Sequence, residues 1–191
     1  MPDRFRNARS TAWAAANRGG HEIDSFLEGP VFDRLGRLYV TDIPFGRIFR
    51  IDSDGEWELI AEYDGWPNGL KIHKDGRIFI TCYKRGIMLL DPNTGAVTPF
   101  VETAGSEGFR GVNDLTFAGN GDLYFTDQGQ TGLQDATGRV YRAVGRADMF
   151  DRHRAEPEWH RDRQCHDELV RGGDTRAANL AHSTRNERPR L

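Results

Sequence analysis

Cysteine is nearly absent: Cys82 and Cys165 are the only two in 191 residues, too few for a disulfide framework or a four-cysteine zinc site. Long apolar runs are missing too, and nothing approaches the roughly 18 residues that a membrane-spanning helix needs. The N-terminus shows no signal-peptide core, because the apolar patch Trp13 to Ala16 stops at Asn17-Arg18-Gly19-Gly20. The compartment expected from these absences is reducing and cytoplasmic. Charge of one sign is not in excess either. Lys and Arg number 26 against 29 Asp and Glu, a net charge of −3, which gives no argument for a nucleic-acid or membrane-surface partner. Helical periodicity sustained over three capped turns is also lacking.

What the chain does contain is a repeat. Glu28-Gly29-Pro30 leads to Gly36-Arg37-Leu38-Tyr39-Val40-Thr41-Asp42. Asn68-Gly69-Leu70 leads to Gly76-Arg77-Ile78-Phe79-Ile80-Thr81-Cys82. Asn113-Asp114-Leu115 leads to Gly121-Asp122-Leu123-Tyr124-Phe125-Thr126-Asp127. The anchoring glycines 36, 76 and 121 stand 40 and 45 positions apart. Periods of about 40–50 residues with several strands per unit point to propeller blades. Each unit reads as an inner strand (Val31-Phe32, Leu70-Lys71-Ile72 or Leu115-Thr116-Phe117), a hairpin, then two further strands. A blade cannot bury both faces alone, so blades stack around an axis. The competing architecture is a β-sandwich, which three matching units disfavour.

The rhythm stops after Tyr141-Arg142. Residues 143–191 hold ten arginines, four of the six histidines and no lysine, isoleucine or tyrosine. Acidic residues from Asp148 to Asp174 interleave with the arginines, against a nucleic-acid-binding arm. His153, His160, Cys165 and His166 fit no familiar zinc spacing. With permissive codon choices, Asp151 to Arg176 read one base out of frame gives I-D-T-V-P-S-P-N-G-I-V, then S-L-Y-V-A-V-T-R. Its asparagine falls at codon 158, as far beyond Asn113 as Asn113 is beyond Asn68. The expected organisation is an N-terminal segment (1–23), three blades (24–142) and a frameshifted tail (143–191).

The place eight before each anchoring glycine holds Glu28, Asn68 and Asn113. Equivalent positions at the start of inner strands converge on the mouth of a propeller's central channel. A carboxylate and two amide side chains there are hard oxygen donors suited to Ca²⁺ or another divalent ion. A lone Asn-Gly or Asn-Asp pair reads more simply as a turn bonding its own backbone. Recurrence in register favours the channel.

Glu28-Gly29-Pro30, Pro67-Asn68-Gly69-Leu70, Gly111-Val112-Asn113-Asp114 and Tyr124-Phe125-Thr126-Asp127 resemble the gluconolactonase, regucalcin (senescence marker protein) and luciferin-regenerating enzyme family. The resemblance covers about residues 26–142. It implies an all-β fold, a partial six-bladed β-propeller with about three blades encoded. It also implies metal-assisted hydrolysis of a lactone ester, the metal being Ca²⁺, with Zn²⁺ or Mg²⁺ as alternatives. By position Glu28 matches the first-blade metal ligand and Asn113 the third-blade pocket residue, followed by Asp114; Asn68 lines the channel from the second blade. No catalytic residue is assigned. Some members place an arginine two before the third-blade asparagine, where this chain has Gly111, with Arg110 one residue off.

The family's fourth-blade asparagine and fifth-blade aspartate have no counterpart in this sequence. The resemblance therefore implies a lactonase lineage with impaired activity and weakened metal binding. The alternatives are a non-catalytic propeller-type binding module and a strictosidine-synthase-like propeller. The partner expected is a small lactone, with self-association through open blade edges.

Overall fold

The computed structural model describes residues 1–129 and 137–143. All of them lie in the compact unit Met1–Arg152; the second unit, His153–Leu191, and nearly all of the proposed frameshifted tail lie outside the described residues.

Antiparallel hairpins build the sheets in chain order. β1 (Leu27–Phe32), β2 (Leu38–Asp42), β3 (Arg47–Ile51) and β4 (Trp57–Glu62) form the first. β5 (Pro67–Ile72), β6 (Ile78–Cys82), β7 (Gly86–Leu90) and β8 (Val97–Val101) form the second. A short hairpin of β9 (Thr103–Ala104) and β10 (Glu107–Gly108) precedes the third. That third sheet holds β11 (Val112–Phe117), β12 (Leu123–Asp127) and β13 (Arg139–Ala143). The protein is all-β, a partial propeller with three successive blades described. The first two blades each carry a fourth, outer strand, β4 and β8.

The repeat's anchoring glycines close the first hairpin of each blade. Gly36, Gly76 and Gly121 adopt φ of 78°, 93° and 92°, with open space around all three. Glycine is needed there for its left-handed backbone rather than for room. In the first such turn, Asp33 Oδ1 accepts from the amides of Leu35 and Arg37 at 2.9 Å.

Alternation along β2, β6 and β12 sends side chains to opposite faces of each blade. Tyr39, Ile48 and Ala61 of the first blade pack against Leu70, Ile78, Ile80, Cys82, Met88 and Leu90 of the second. Phe79 then carries the core onward, edge-on to Phe117 of the third blade at 5.1 Å. Each fully buried side chain of this size contributes about 1.5–3 kcal/mol. Blade-to-blade burial is therefore what holds the sheets in series.

Residues 1–23 pack on the first blade. Helix α1 (Ala12–Arg18) is capped by the Thr11 hydroxyl, which accepts from the Ala14 amide, and ends at Gly19 in the left-handed conformation. Seven residues are too few to be helical alone. Trp13 against Phe26 (5.0 Å) and Phe5 against Phe49 (4.9 Å) supply the packing. Arg47 Nη1 donates to the Phe5 carbonyl at 2.9 Å.

Candidate functional site

The inner strands β1, β5 and β11 lie side by side, and each carries a bulge at the same place. Leu27 pairs with Asp42, Pro67 with Cys82 and Val112 with Asp127. Glu28, Asn68 and Asn113 therefore share one register position on three neighbouring strands. At the bulges of the first two blades, Gly29 and Gly69 sit where the next strand crowds in. A Cβ on Gly29 would run into the Asn68 carbonyl oxygen. One on Gly69 would lie 2.8 Å from Asp114 Oδ1 and 3.1 Å from the Asn113 oxygen. Glycine allows this close approach.

Glu28 is exposed, Asn68 and Asn113 are half-buried, and Asp114 is exposed. The Asn68 and Asn113 main chains are fixed by hydrogen bonds described below, leaving their side chains at the strand starts. Asn113 Nδ2 donates to Gln128 Oε1 at 3.5 Å. Asp114 Oδ1 accepts from the Leu115 amide at 2.7 Å, which lays its carboxylate over the bare Gly69. Glu28 has no ion pair or hydrogen bond through its carboxylate among the described residues. No three His, Cys, Asp or Glu converge to hold a metal ion among the described residues. The four residues thus gather along one end of adjacent strands as separate oxygen donors.

Three threonines frame these positions. Thr41 Oγ1 donates to the Asn68 carbonyl at 2.8 Å, and Thr81 Oγ1 donates to the Asn113 carbonyl at 2.6 Å. Thr81 also accepts from the Gly69 amide at 2.6 Å. Thr126 accepts from the Asp114 amide at 3.1 Å. They were visible in the repeat, five residues after each anchoring glycine, but only the blade stacking shows that they hold the site strands.

The flanking aspartates are structural. Asp42 is fully buried, paired with Arg47 at 2.5 Å, and it accepts from the Phe26 amide at 2.9 Å and the Ser25 hydroxyl at 3.2 Å. Asp127 accepts from the Arg110 amide at 2.9 Å and the Gly129 amide at 3.2 Å. Burial, and then the Asp127 charge, push the nearby Tyr83 phenol above its ordinary range. The same Tyr83 ring explains Gly111: a Cβ there would lie 2.6 Å from the ring, at φ 152°. A larger side chain at that position requires the Tyr83 ring to move.

At the opposite end of the inner strands lies a cavity of about 240 Å³, lined by Asp33, Arg34, Tyr39, His73 and Asp75 among others. It is remote in register from Glu28 and Asn113, and its carboxylates are already engaged by Arg37 and Arg77.

Residues 26–155 match the family described as SMP-30/Gluconolactonase/LRE-like region. The chain belongs to that family. Among curated proteins, lactonase drp35 of Staphylococcus aureus (strain MRSA252) is 34% identical over 110 residues, covering 53% of this chain and 33% of that protein. Lactonase drp35 of Staphylococcus saprophyticus is 34% identical over 109 residues with the same coverage. The match thus spans a third of the curated relatives' length. Among solved structures, XC5397 from Xanthomonas campestris, described as a gluconolactonase, superposes with a TM-score of 0.56 at 21% identity. That superposition covers 74% of this chain and 54% of the other. A luciferin-regenerating enzyme gives 0.52 at 19% identity, over 65% of this chain and 47% of its own. At these identities the structural likenesses establish the shared fold. In this SMP-30/gluconolactonase-like chain, no helix among the described residues is long and apolar enough to cross a membrane.

Proposed function

We propose that this chain carries the first three blades' share of a divalent-metal-dependent, lactone-hydrolysing site. Glu28 is the metal ligand; Asn68, Asn113 and Asp114 line the pocket for a small lactone. The observation that carries this reading is the common register of Glu28, Asn68 and Asn113 on three adjacent inner strands. Family membership with lactonases supports the reaction class.

The donor set fits a hard cation in kind: one carboxylate with no competing partner among the described residues, and amide oxygens beside it. It does not fit in number, since Ca²⁺ takes about 6–8 oxygens and no three carboxylate or imidazole groups converge among the described residues. When bound, such an ion supplies Lewis-acid polarisation of the lactone carbonyl and a more acidic water. This chain's own residues then orient the substrate, Asn113 through an amide held by Gln128 and Asp114 through a carboxylate held by the Leu115 amide.

The reading predicts weak Ca²⁺ binding and little turnover by the 191-residue chain alone. Titration calorimetry with CaCl₂ and pH-stat assays on aliphatic and sugar lactones test it. Glu28→Gln abolishes the residual metal binding. Tight, Glu28-independent binding of Ca²⁺ would show the assignment wrong.

A further inference from the structure

Arg47 joins three parts of the molecule that are distant in sequence. Its Nε and Nη2 donate to Asp42 Oδ2 at 2.9 and 2.5 Å, and its Nη1 donates to the Phe5 carbonyl at 2.9 Å. The guanidinium is buried beside the rings of Phe45 and Phe49, 4.5 and 5.3 Å from their centres. Phe5 packs on that same Phe49 at 4.9 Å and is itself half-buried. Asp42 Oδ1 accepts from the Phe26 amide at 2.9 Å and the Ser25 hydroxyl at 3.2 Å. Phe26 stands two residues before Glu28.

The three blades share one link at this place and differ in another. The carbonyl two residues before each aligned site residue accepts a main-chain bond: Phe26 from Ile43, Trp66 from Tyr83 and Gly111 from Gln128, at 3.1, 3.0 and 2.9 Å. The first blade adds the carboxylate bond to the Phe26 amide. The second has Cys82 in place of Asp42, and in the third Asp127 accepts from Arg110, one residue further from the site. Glu28 is placed by main chain alone, since its carboxylate has no partner among the described residues. Beyond its pairing with Thr41 the ladder is interrupted until Val31. The anchor on the other side is Asp42, paired with Leu27 and bonded to Phe26.

We infer that the N-terminal segment, held at Phe5, positions Glu28 through Arg47 and Asp42. Phe5 keeps Arg47 turned to Asp42, and the ion pair keeps the Asp42 carboxylate inside, on the start of β1. Without the Phe5 ring, water competes for the guanidinium and weakens its hold on Asp42. A carboxylate left buried without its partner turns to water itself. The Phe26 amide then loses its acceptor. Phe5, Arg47 and Asp42 are thus positioning residues. The role of Glu28 as metal ligand is taken from the function proposed above, whereas the coupling of Phe5 to the start of β1 stands without it.

The test is residue-resolved amide hydrogen exchange by NMR on the full chain without metal, in the wild type, Phe5→Ala and Phe5→Tyr. In Phe5→Ala the Phe26 amide should exchange about tenfold faster, the scale of losing one hydrogen bond to a charged group in a local opening. The Arg47 Nε–H resonance should quicken with it. The Leu70 amide of the second blade should change by less than about twofold, because local openings are independent of one another. Phe5→Tyr keeps the ring and restores wild-type exchange. Faster exchange confined to residues 3–9 overturns the inference. So does equal acceleration at Phe26 and Leu70, or a Phe26 amide that quickens while the Arg47 Nε–H stays protected. Titration with CaCl₂, followed at the Glu28 amide, reads the consequence for the site. Phe5→Ala should weaken the residual binding by at least about threefold, short of the loss from groups that touch a ligand directly. An unchanged affinity overturns the coupling to the site. No Ca²⁺ response in the wild-type chain would instead remove Glu28 as a ligand, with the exchange rates still deciding whether Phe5 holds the start of β1.

Discussion

Thr81 Oγ1 lies 2.6 Å from the Asn113 carbonyl oxygen and 2.6 Å from the Gly69 nitrogen, so one buried hydroxyl joins the inner strands of two blades. Replacing it by Thr81→Val keeps the shape but leaves a buried amide and a part-buried carbonyl unpaired. Losing such partners costs about 1–3 kcal/mol. Urea denaturation should show that loss for Thr81→Val and recover most of it in Thr81→Ser.

The Asp42–Arg47 pair predicts a larger effect. Both side chains are out of water, and Asp42 also fixes the Phe26 amide at the entry to β1. Asp42→Ala strands the Arg47 guanidinium, and breaking a buried pair from one side costs about 3–5 kcal/mol. The melting temperature should fall far more than for Arg50→Ala, whose partner Glu58 lies on the surface.

Acid sensitivity follows from Asp75. Burial alone would raise its carboxyl, but hydrogen bonds from the Arg77 side chain and backbone, and from His73, outweigh that and hold it well below the usual carboxylate range. A carboxyl depressed in the folded state stabilises the fold fully above its unfolded value, about 3.9. That stability is lost as pH falls through the folded value. Denaturation midpoints measured from pH 6 to pH 3 should decline more steeply for the wild-type chain than for Asp75→Asn.

Much of this architecture was legible because it repeats. The glycines 36, 76 and 121 mark the hairpins through a backbone requirement that sequence displays directly. Glu28, Asn68 and Asn113 could be aligned for the same reason, and the strands place them at one register position. The outer strands β4 and β8 were harder to read. Trp57-Glu58-Leu59-Ile60-Ala61-Glu62 lies on the rim, where only Ala61 is fully buried, so its alternation is blurred. The buried pairing of Asp42 with Arg47 was illegible, because Asp42 and Asp127 look alike in the repeat yet take different partners. Nor does sequence say that Gly111 yields to the Tyr83 ring, a contact between blades 28 positions apart in the chain.

Gly69 offers the most direct check on how the site is held. A methyl group there meets Asp114 Oδ1 at 2.8 Å, the Asn113 carbonyl oxygen at 3.1 Å and the Asp114 Cα at 3.1 Å. Two of those three atoms are backbone or its immediate extension, so the third blade must shift to accept it. Overpacking of this kind costs about 1–3 kcal/mol. Asp114→Ala removes the nearest of the three contacts and leaves the other two. The double variant Gly69→Ala/Asp114→Ala should therefore be more stable than the sum of the single losses allows, with a coupling of about 0.5 kcal/mol or more. Urea midpoints for the four proteins measure that coupling. Strict additivity would mean that the Asp114 carboxylate does not rest on Gly69, and the close approach of β5 and β11 would then have to be held by the Thr81 hydroxyl alone.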